Sequence, residues 1–471
     1  MTGQPSFDAV VVGAGPAGMA AATELAARGA SVLMVDRQAS PGGQIYRGAV
    51  EPGHDAERLF GKSYMRGPAL IAAFGRQSIE TRWNASAVGV RDGFEVDVAS
   101  PDRLERIACR ILILATGAYE RPLAIPGWTM PGVMTAGAAQ LMAKQSRLVP
   151  SEPFVIAGAG PLIWLLAWQY AQMGARPEAL VSLGDSKALR RALPHAFSFL
   201  GSDYAADAVK YLRTAYRSTP VVRARRLVRI EGDGRPTALI AETRTGRSVS
   251  IPARRVFLHN GVLPDANMTN ALGCRLEWDE IRHSWQPTTD AWQRGDRDGL
   301  YVAGDGAGVD GAIAAEFSGR IAASDALVRL GRISQAERDT TAAPWIAERG
   351  RHLSGRPFID TLFAPIEPSD DPDVPICRCE NVSASRAADV IDDARGVGVP
   401  PGALVSHLKA ISRCGMGPCQ ARMCGPSLAR FLDTRYGVSA ADAGKPSQRY
   451  PAAPMQLASL ADLPLDGEAA P

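Results

Sequence analysis

Five of the seven cysteines fall between Cys377 and Cys424. They run as Cys377-Arg-Cys379, then after 34 residues Cys414-Gly-Met-Gly-Pro-Cys419, then Cys424. Four thiolates can hold the two irons of a [2Fe–2S] cluster, two per iron, or a single zinc. A C-x-C pair can present two sulfurs to one iron. The glycine-rich loop from Cys414 to Cys419 can turn backbone N–H groups towards cluster sulfides and tune the potential. C-x-C is less typical of zinc hooks than C-x-x-C, so the cluster is the preferred reading, with zinc and free thiols as rivals. Cys424 is one thiol more than four-thiolate ligation requires; its spacing on an expected helix favours packing, with ligation left open. Cys109 and Cys274 stand alone in apolar surroundings and read as inert core residues.

A second chemistry-bearing pattern opens the chain. Gly13, Gly15 and Gly18 form G-x-G-x-x-G directly after the apolar run Ala9–Val12 and before an Ala-rich helix that Gly29 stops. The first glycine permits the tight turn, the second lets the backbone approach a pyrophosphate, and the third allows close helix–strand packing. The helix N-terminus, with Pro16 and Ala17 at its start, then offers free N–H groups to the phosphates. Asp36 ends the next strand, Ser31–Val35, where a carboxylate can accept hydrogen bonds from ribose hydroxyls.

Two later segments decide which dinucleotide is meant. Residues 112–122 and 300–306 resemble the second and third fingerprints of two-dinucleotide flavoproteins, which implies FAD. By that resemblance Asp305 holds the ribityl chain, Gly304 keeps the backbone clear of the cofactor, and the helix from about Gly311 aims its positive end at the flavin pyrimidine ring. Arg37, Gly43, Gln44, Ala87, Thr116, Gly117 and Ala312 complete the expected cofactor-binding set.

These sites require particular elements around them. A second strand–glycine–helix unit runs from Phe154 through Gly158 and Gly160, with a further strand at Ala179–Leu183. The expected fold is therefore α/β, a pair of Rossmann-type dinucleotide-binding domains of the glutathione-reductase kind with a small helical C-terminal module. The FAD domain is expected at residues 1–150 and 258–335, with an inserted dinucleotide-type domain at 151–257. A linker at 336–372, a [2Fe–2S] module at 373–438 and an extended tail at 439–471 follow. Ser383 is the expected cap of a helix through Ala394, and another helix spans Pro426 to Tyr436. In the second glycine motif Ile163 replaces the third small residue, and Gly184-Asp185 follows the next strand with no Arg cluster suited to a 2′-phosphate. Nicotinamide binding there is doubtful on sequence grounds.

At 471 residues the chain is too long for one ordinary core, and 46% hydrophobic with 21% charged residues is a globular balance. A formal net charge of +3, without large basic clusters, argues against nucleic acid or anionic membrane as the main partner. Short patches such as Arg223–Arg226 read as solvated surface. The N-terminus runs straight into the first strand, and the apolar stretch from Pro161 to Ala171 is too short to span a bilayer, so the expected location is cytoplasmic. Ser40-Pro-Gly-Gly-Gln44 stands where one class of disulfide reductases carries C-x4-C, and no C-x-x-C occurs in the inserted domain, so disulfide reduction is excluded. His195 and His407 have no obvious acidic partner and are not read as catalytic; the catalytic residues are not legible.

The cysteine module resembles bacterioferritin-associated-ferredoxin-like [2Fe–2S] domains. Together with the FAD body and Trp128-Thr-Met-Pro-Gly-Val-Met-Thr135, it looks like the α (A) subunit of heteromeric amine dehydrogenases and oxidases. These include opine oxidases, hydroxyproline and proline dehydrogenases, hydrogen cyanide synthase and related sarcosine oxidases. The resemblance implies that Cys377, Cys379, Cys414 and Cys419 ligate the cluster. It also implies a β subunit resembling D-amino-acid oxidases that oxidises the C–N bond at its own FAD, an FMN that can sit between subunits, and onward electron transfer to a quinone or other carrier. The alternative is a stand-alone NAD(P)H-dependent FAD/iron–sulfur reductase of a ferredoxin-like acceptor. From a different class comes a redox-sensing or scaffold protein in which FAD is structural.

Overall fold

The computed structural model describes residues 6–461 apart from 185 and 368. Two seven-stranded sheets organise it. In the first, Ser6–Val12 lies at the centre, parallel to Val32–Val35 on one side and Leu104–Leu114 on the other. Ala9, Val10 and Val11 are fully buried, as expected of a parallel strand covered on both faces. Leu300–Val302 adds to Leu104–Leu114 in parallel, so the chain returns to this sheet after the second one is built. The helices Pro16–Ala27 and Ala312–Arg329 pack on each other over one face through small side chains, among them Ala17, Ala315 and Ala322.

The second sheet is ordered Ser248–Pro252, Pro236–Thr243, Val221–Gly232, Ala179–Leu183, Phe154–Ala159, Arg255–Asn260, Val133–Thr135. Its central strands are parallel, and Phe154–Ala159 opens into the helix Pro161–Gln172. Between the sheets, Ala118–Glu120 pairs antiparallel with Val262–Pro264.

The C-terminal module is helical. Ser383 caps Ala384–Gly396 by accepting from the Arg386 N–H at 3.2 Å, and Leu404–Ser412 and Gly425–Tyr436 follow. Ala387, Ile391, Leu408, Leu428 and Leu432 give the module its own core.

Two segments differ from expectation. The stretch expected to be a linker holds the helices Gln335–Leu353 and Arg356–Leu362. Ser334 caps the first by accepting from Glu337 N–H, and Pro344 lies inside it. A buried ion pair, Arg338 to Asp325 at 2.6 Å, ties that helix to Ala312–Arg329, and this tertiary contact outweighs the breaker signal. The tail, expected to be extended, instead lies against its own chain as far as residue 461. Ala452 N–H donates to Val88 O at 2.7 Å, the Tyr450 ring covers Gly89, and Ala452 and Ala453 are buried. Asp185 and the last ten residues of the tail lie outside the described residues. Among the described residues no helix is long and apolar enough to cross a membrane.

Candidate cofactor sites

The first glycine turn opens on a cavity of about 600 Å³. Gly13 has φ +105°, and a Cβ there would lie 2.3 Å from Ala115 O; one at Gly18 would lie 1.8 Å from Gly13 O. Both glycines serve contacts within the protein. Gly15 is different, because a Cβ there would meet nothing within 4 Å. The open space in front of Gly15 is the approach that a pyrophosphate needs. The helix that follows starts at Pro16 with no side-chain cap, so its first N–H groups remain available to phosphate.

Most of the expected residues meet around this cavity. Gly13, Gly15, Pro16 and Ala17 line it from the turn, and Asp36, Arg37, Gly43 and Gln44 from the segment after the second strand. Ala87, Thr116, Gly117, Asp305 and Ala312 complete the wall. Gly18 and Gly304 do not line it. A Cβ on Gly304 would come within 2.7 Å of the Ala17 side chain, so this glycine admits helix packing rather than the cofactor.

Asp36 is preorganised: Oδ2 accepts from Ala14 N–H at 2.6 Å and Oδ1 from Gln38 N–H at 2.7 Å. Asp305 Oδ1 accepts from the Asp310 and Gly311 N–H groups, both at 3.0 Å, which pins the turn before Ala312–Arg329. Burial pushes the Asp305 carboxyl above its ordinary value, against the downward pull of those two N–H groups. The open cradle at Gly15, the fixed carboxylate at Asp36 and the helix start near Asp305 fit FAD.

Sequence reasoning missed Lys144. It is buried at the cavity wall, and Nζ donates to Ile45 O at 3.0 Å. Burial, helped by the nearby Arg47, brings its pKa down to about 7. Nothing in its sequence neighbourhood marks it.

The five clustered cysteines converge. The Sγ atoms of Cys377, Cys414 and Cys424 lie within 4.8 Å of one another, and Cys379 and Cys419 interact as a second group. Cys377 ends the strand Pro375–Cys377, while Cys414 follows the left-handed Arg413 that terminates Leu404–Ser412. Gly417 packs directly on the Cys379 side chain. Hydrogen bonds from the Cys414 and Cys424 thiols hold the Cys377 thiol well below its ordinary value and push those two donors up. Burial raises Cys419 to about 11. Cys424, at the N-cap of Gly425–Tyr436, is buried in the module's core as expected, and its Sγ also faces those of Cys377 and Cys414. Three thiols within 4.8 Å of one another, with the Cys379–Cys419 pair beside them, fit an iron–sulfur cluster or a thiolate-bound metal.

Cavity and cysteine centre share a wall. Arg422, in the loop between Cys419 and Cys424, donates through Nε to both Asp265 oxygens at 3.1 Å and through Nη1 to Cys419 O at 3.3 Å. Asp265 in turn donates its N–H to Gly117 O and accepts at its carbonyl from the Thr116 hydroxyl. Asp265, Arg422 and Met423 all line the cavity. Tyr119 lies in the same wall beside Asp265, Arg422 and Cys419, and burial pushes its phenol far above its ordinary value. The interval Cys419–Cys424 stands out in the sequence for its thiols alone; its arginine is the signal that could have revealed this junction.

Residues 7–325 match the family model described as pyridine nucleotide-disulphide oxidoreductase. Among curated proteins, the A component of the opine oxidase of Rhizobium meliloti is 38% identical over 472 residues, covering 97% of this chain and 88% of that protein. A hydrogen cyanide synthase subunit of Pseudomonas aeruginosa is 30% identical, covering 96% of this chain and 98% of its own length. Among solved structures, the L-proline dehydrogenase of P. horikoshii superposes with a TM-score of 0.66 at 20% identity, over 97% of this chain and 80% of that one. T. acidophilum thioredoxin reductase gives a TM-score of 0.51 at 19% identity, over 69% of this chain and 99% of its own. Both structures share the two-dinucleotide-domain fold.

Proposed function

The chain belongs to the pyridine nucleotide-disulphide oxidoreductase family, in the lineage of the opine oxidase A component, and from that premise we propose that it is the electron-transfer subunit of a heteromeric amine dehydrogenase. It is a flavin-dependent oxidoreductase subunit of the kind that acts on carbon–nitrogen bonds. In the finer reading the substrate is a secondary amine or amino acid of the opine, hydroxyproline or proline type. A partner flavoprotein resembling D-amino-acid oxidases oxidises it, with an FMN at the interface between the two.

Within this chain, FAD is held by the turn at Gly13–Gly18, by Asp36 and by Asp305. A [2Fe–2S] group would be held by Cys377, Cys379, Cys419 and one of the two thiols beside Cys377, Cys414 or Cys424. When bound, the pair would supply two-electron acceptance and one-electron delivery to a quinone or other carrier. The residues of the shared wall do the positioning: Asp265 and Arg422 keep the cysteine loop against the cavity, with Tyr119 beside them. That shared wall is the single observation that most supports the reading, since a cysteine module with an unrelated task has no need to line the flavin cavity.

The test is co-expression with a D-amino-acid-oxidase-like partner, then anaerobic addition of N-substituted amino acids. Substrate should bleach the flavin and produce the paramagnetic signal of a reduced [2Fe–2S] group. Bleaching of the isolated chain by NADH or NADPH within the mixing time would overturn the proposal in favour of a self-sufficient reductase.

A further inference from the structure

We propose that His259 closes the second glycine turn to the pyrophosphate of a nicotinamide dinucleotide, leaving this fold with one working dinucleotide site. The protein carries its own control, because the same turn occurs twice. In each copy a parallel strand, Ser6–Val12 or Phe154–Ala159, meets a glycine turn and then a helix with proline at its first position. In each copy a neighbouring parallel strand ends beside the turn, Leu104–Leu114 in the first and Arg255–Asn260 in the second. A Cβ on Gly13 would strike Ala115 O at 2.3 Å, and one on Gly158 would strike His259 O at 1.9 Å. Ala115 and His259 thus hold equivalent positions.

The two copies part at the next glycine. In front of Gly15 there is no atom within 4 Å, whereas a Cβ on Gly160 would lie 2.6 Å from both Cδ2 and Nε2 of the His259 ring. The imidazole fills the space where the first copy leaves room for phosphate. The backbone differs as well, with Gly160 at φ +131° against −78° at Gly15. At the third position the first copy needs glycine, since a Cβ on Gly18 would lie 1.8 Å from Gly13 O; the second copy has a fully buried Ile163 and cannot share that geometry.

His259 is fixed in place. It is 2% exposed, its Nδ1 lies 2.5 Å from Glu120 Oε1, and Glu120 Oε2 accepts from the Gly137 N–H at 2.6 Å. Glu120 is a positioning residue, and its carboxylate stands behind the ring, where an arriving phosphate would meet like charge. Removing the ring would also leave this nearly buried carboxylate short of a partner. The inference stands whatever group the cysteines hold.

The test is calorimetric titration of the flavin-loaded complex with NADH, NADPH and ADP-ribose. Wild type should show no saturable binding up to about 1 mM, roughly −4 kcal/mol. His259→Ala, which places at this position the residue type found at 115, should bind ADP-ribose at least about tenfold more tightly, or about 1.4 kcal/mol. His259→Ser serves if the alanine variant is poorly folded. Saturable NADH binding by wild type that ADP-ribose displaces would overturn the proposal. So would both variants binding no better than wild type while retaining native flavin content and melting temperature.

Discussion

Replacing Arg422 by leucine should loosen the cysteine loop from the flavin cavity without unfolding either part. The Arg422 and Asp265 side chains keep 18% and 10% of their exposure, so the pair is mostly but not fully desolvated. Loss of one partner from a fully buried pair costs about 3–5 kcal/mol. Here both contacts arise from a single Nε at 3.1 Å rather than a parallel two-nitrogen fork, which favours the charged hydrogen-bond range of about 1.5–3 kcal/mol. Adding the bond to Cys419 O, a loss of about 2–4.5 kcal/mol is expected, or a rise of at least roughly thirty-fold in the open population. The module keeps its own core, so the opening should be local. Hydrogen–deuterium exchange of residues 414–424 reads it directly, with the strand Ser6–Val12 as the unmoved reference. A double-mutant cycle with Asp265→Asn should return a coupling energy of about 1 kcal/mol or more. Exchange at 414–424 that changes by less than about threefold, or a coupling energy near zero, would refute the claim that this pair holds the two sites together.

Other outcomes follow from the same geometry. Gly15→Val should fold with a melting temperature near wild type yet purify without flavin, whereas Gly18→Val should not accumulate as folded protein; flavin absorbance and circular dichroism separate the two. Lys144 titrates at about 7 when folded, against an ordinary 10.5, so between those pH values the unfolded chain carries the extra proton. Stability of the flavin-free chain should therefore rise with pH from about 7 to about 10, by up to about 1.4 kcal/mol per unit, and level off below pH 7 where both states are protonated. Lys144→Met should flatten that slope in denaturant titrations across pH. Of Cys414→Ser and Cys424→Ser, one should lose the visible absorbance of the reconstituted centre and the other keep it; equal retention in both would remove these two thiols from the ligand set.

What the sequence makes legible is whatever the chain encodes over short distances. The Gly13–Gly18 turn, Asp36 after its strand and Ser383 before its helix are local signals: the turn meets its strand closely, Asp36 lies at the cavity wall, and Ser383 caps its helix. The residues that escape such reading join distant parts of the chain. Glu120 meets His259 across 139 positions, Lys144 meets Ile45 across 99, and Arg422 meets Asp265 across 157. No periodicity records such pairings. At Cys424 the packing reading holds, but the sequence does not show that the same buried thiol meets Cys377 and Cys414. In the supposed linker, Pro344 and the charges mask a readable capping pattern, Ser334-x-x-Glu337. The tail has no periodicity to read, and its course along Val88 and Gly89 depends on a groove that only the folded chain provides.

The name of the family joins pyridine nucleotide and disulphide, and at the places where such chemistry is expected the chain has other residues. The segment Ser40–Gln44 supplies Gly43 and Gln44 to the cavity wall but no dithiol, and the second glycine turn is filled by His259. A chain without those two routes still needs a way for electrons to enter and to leave its flavin. On the proposed reading the exit is where Arg422 and Met423 bring the cysteine loop to the cavity. If the nicotinamide route is shut as proposed, entry has to come from outside the chain, and this is the physical reason to look for the substrate-oxidising chemistry on a second subunit.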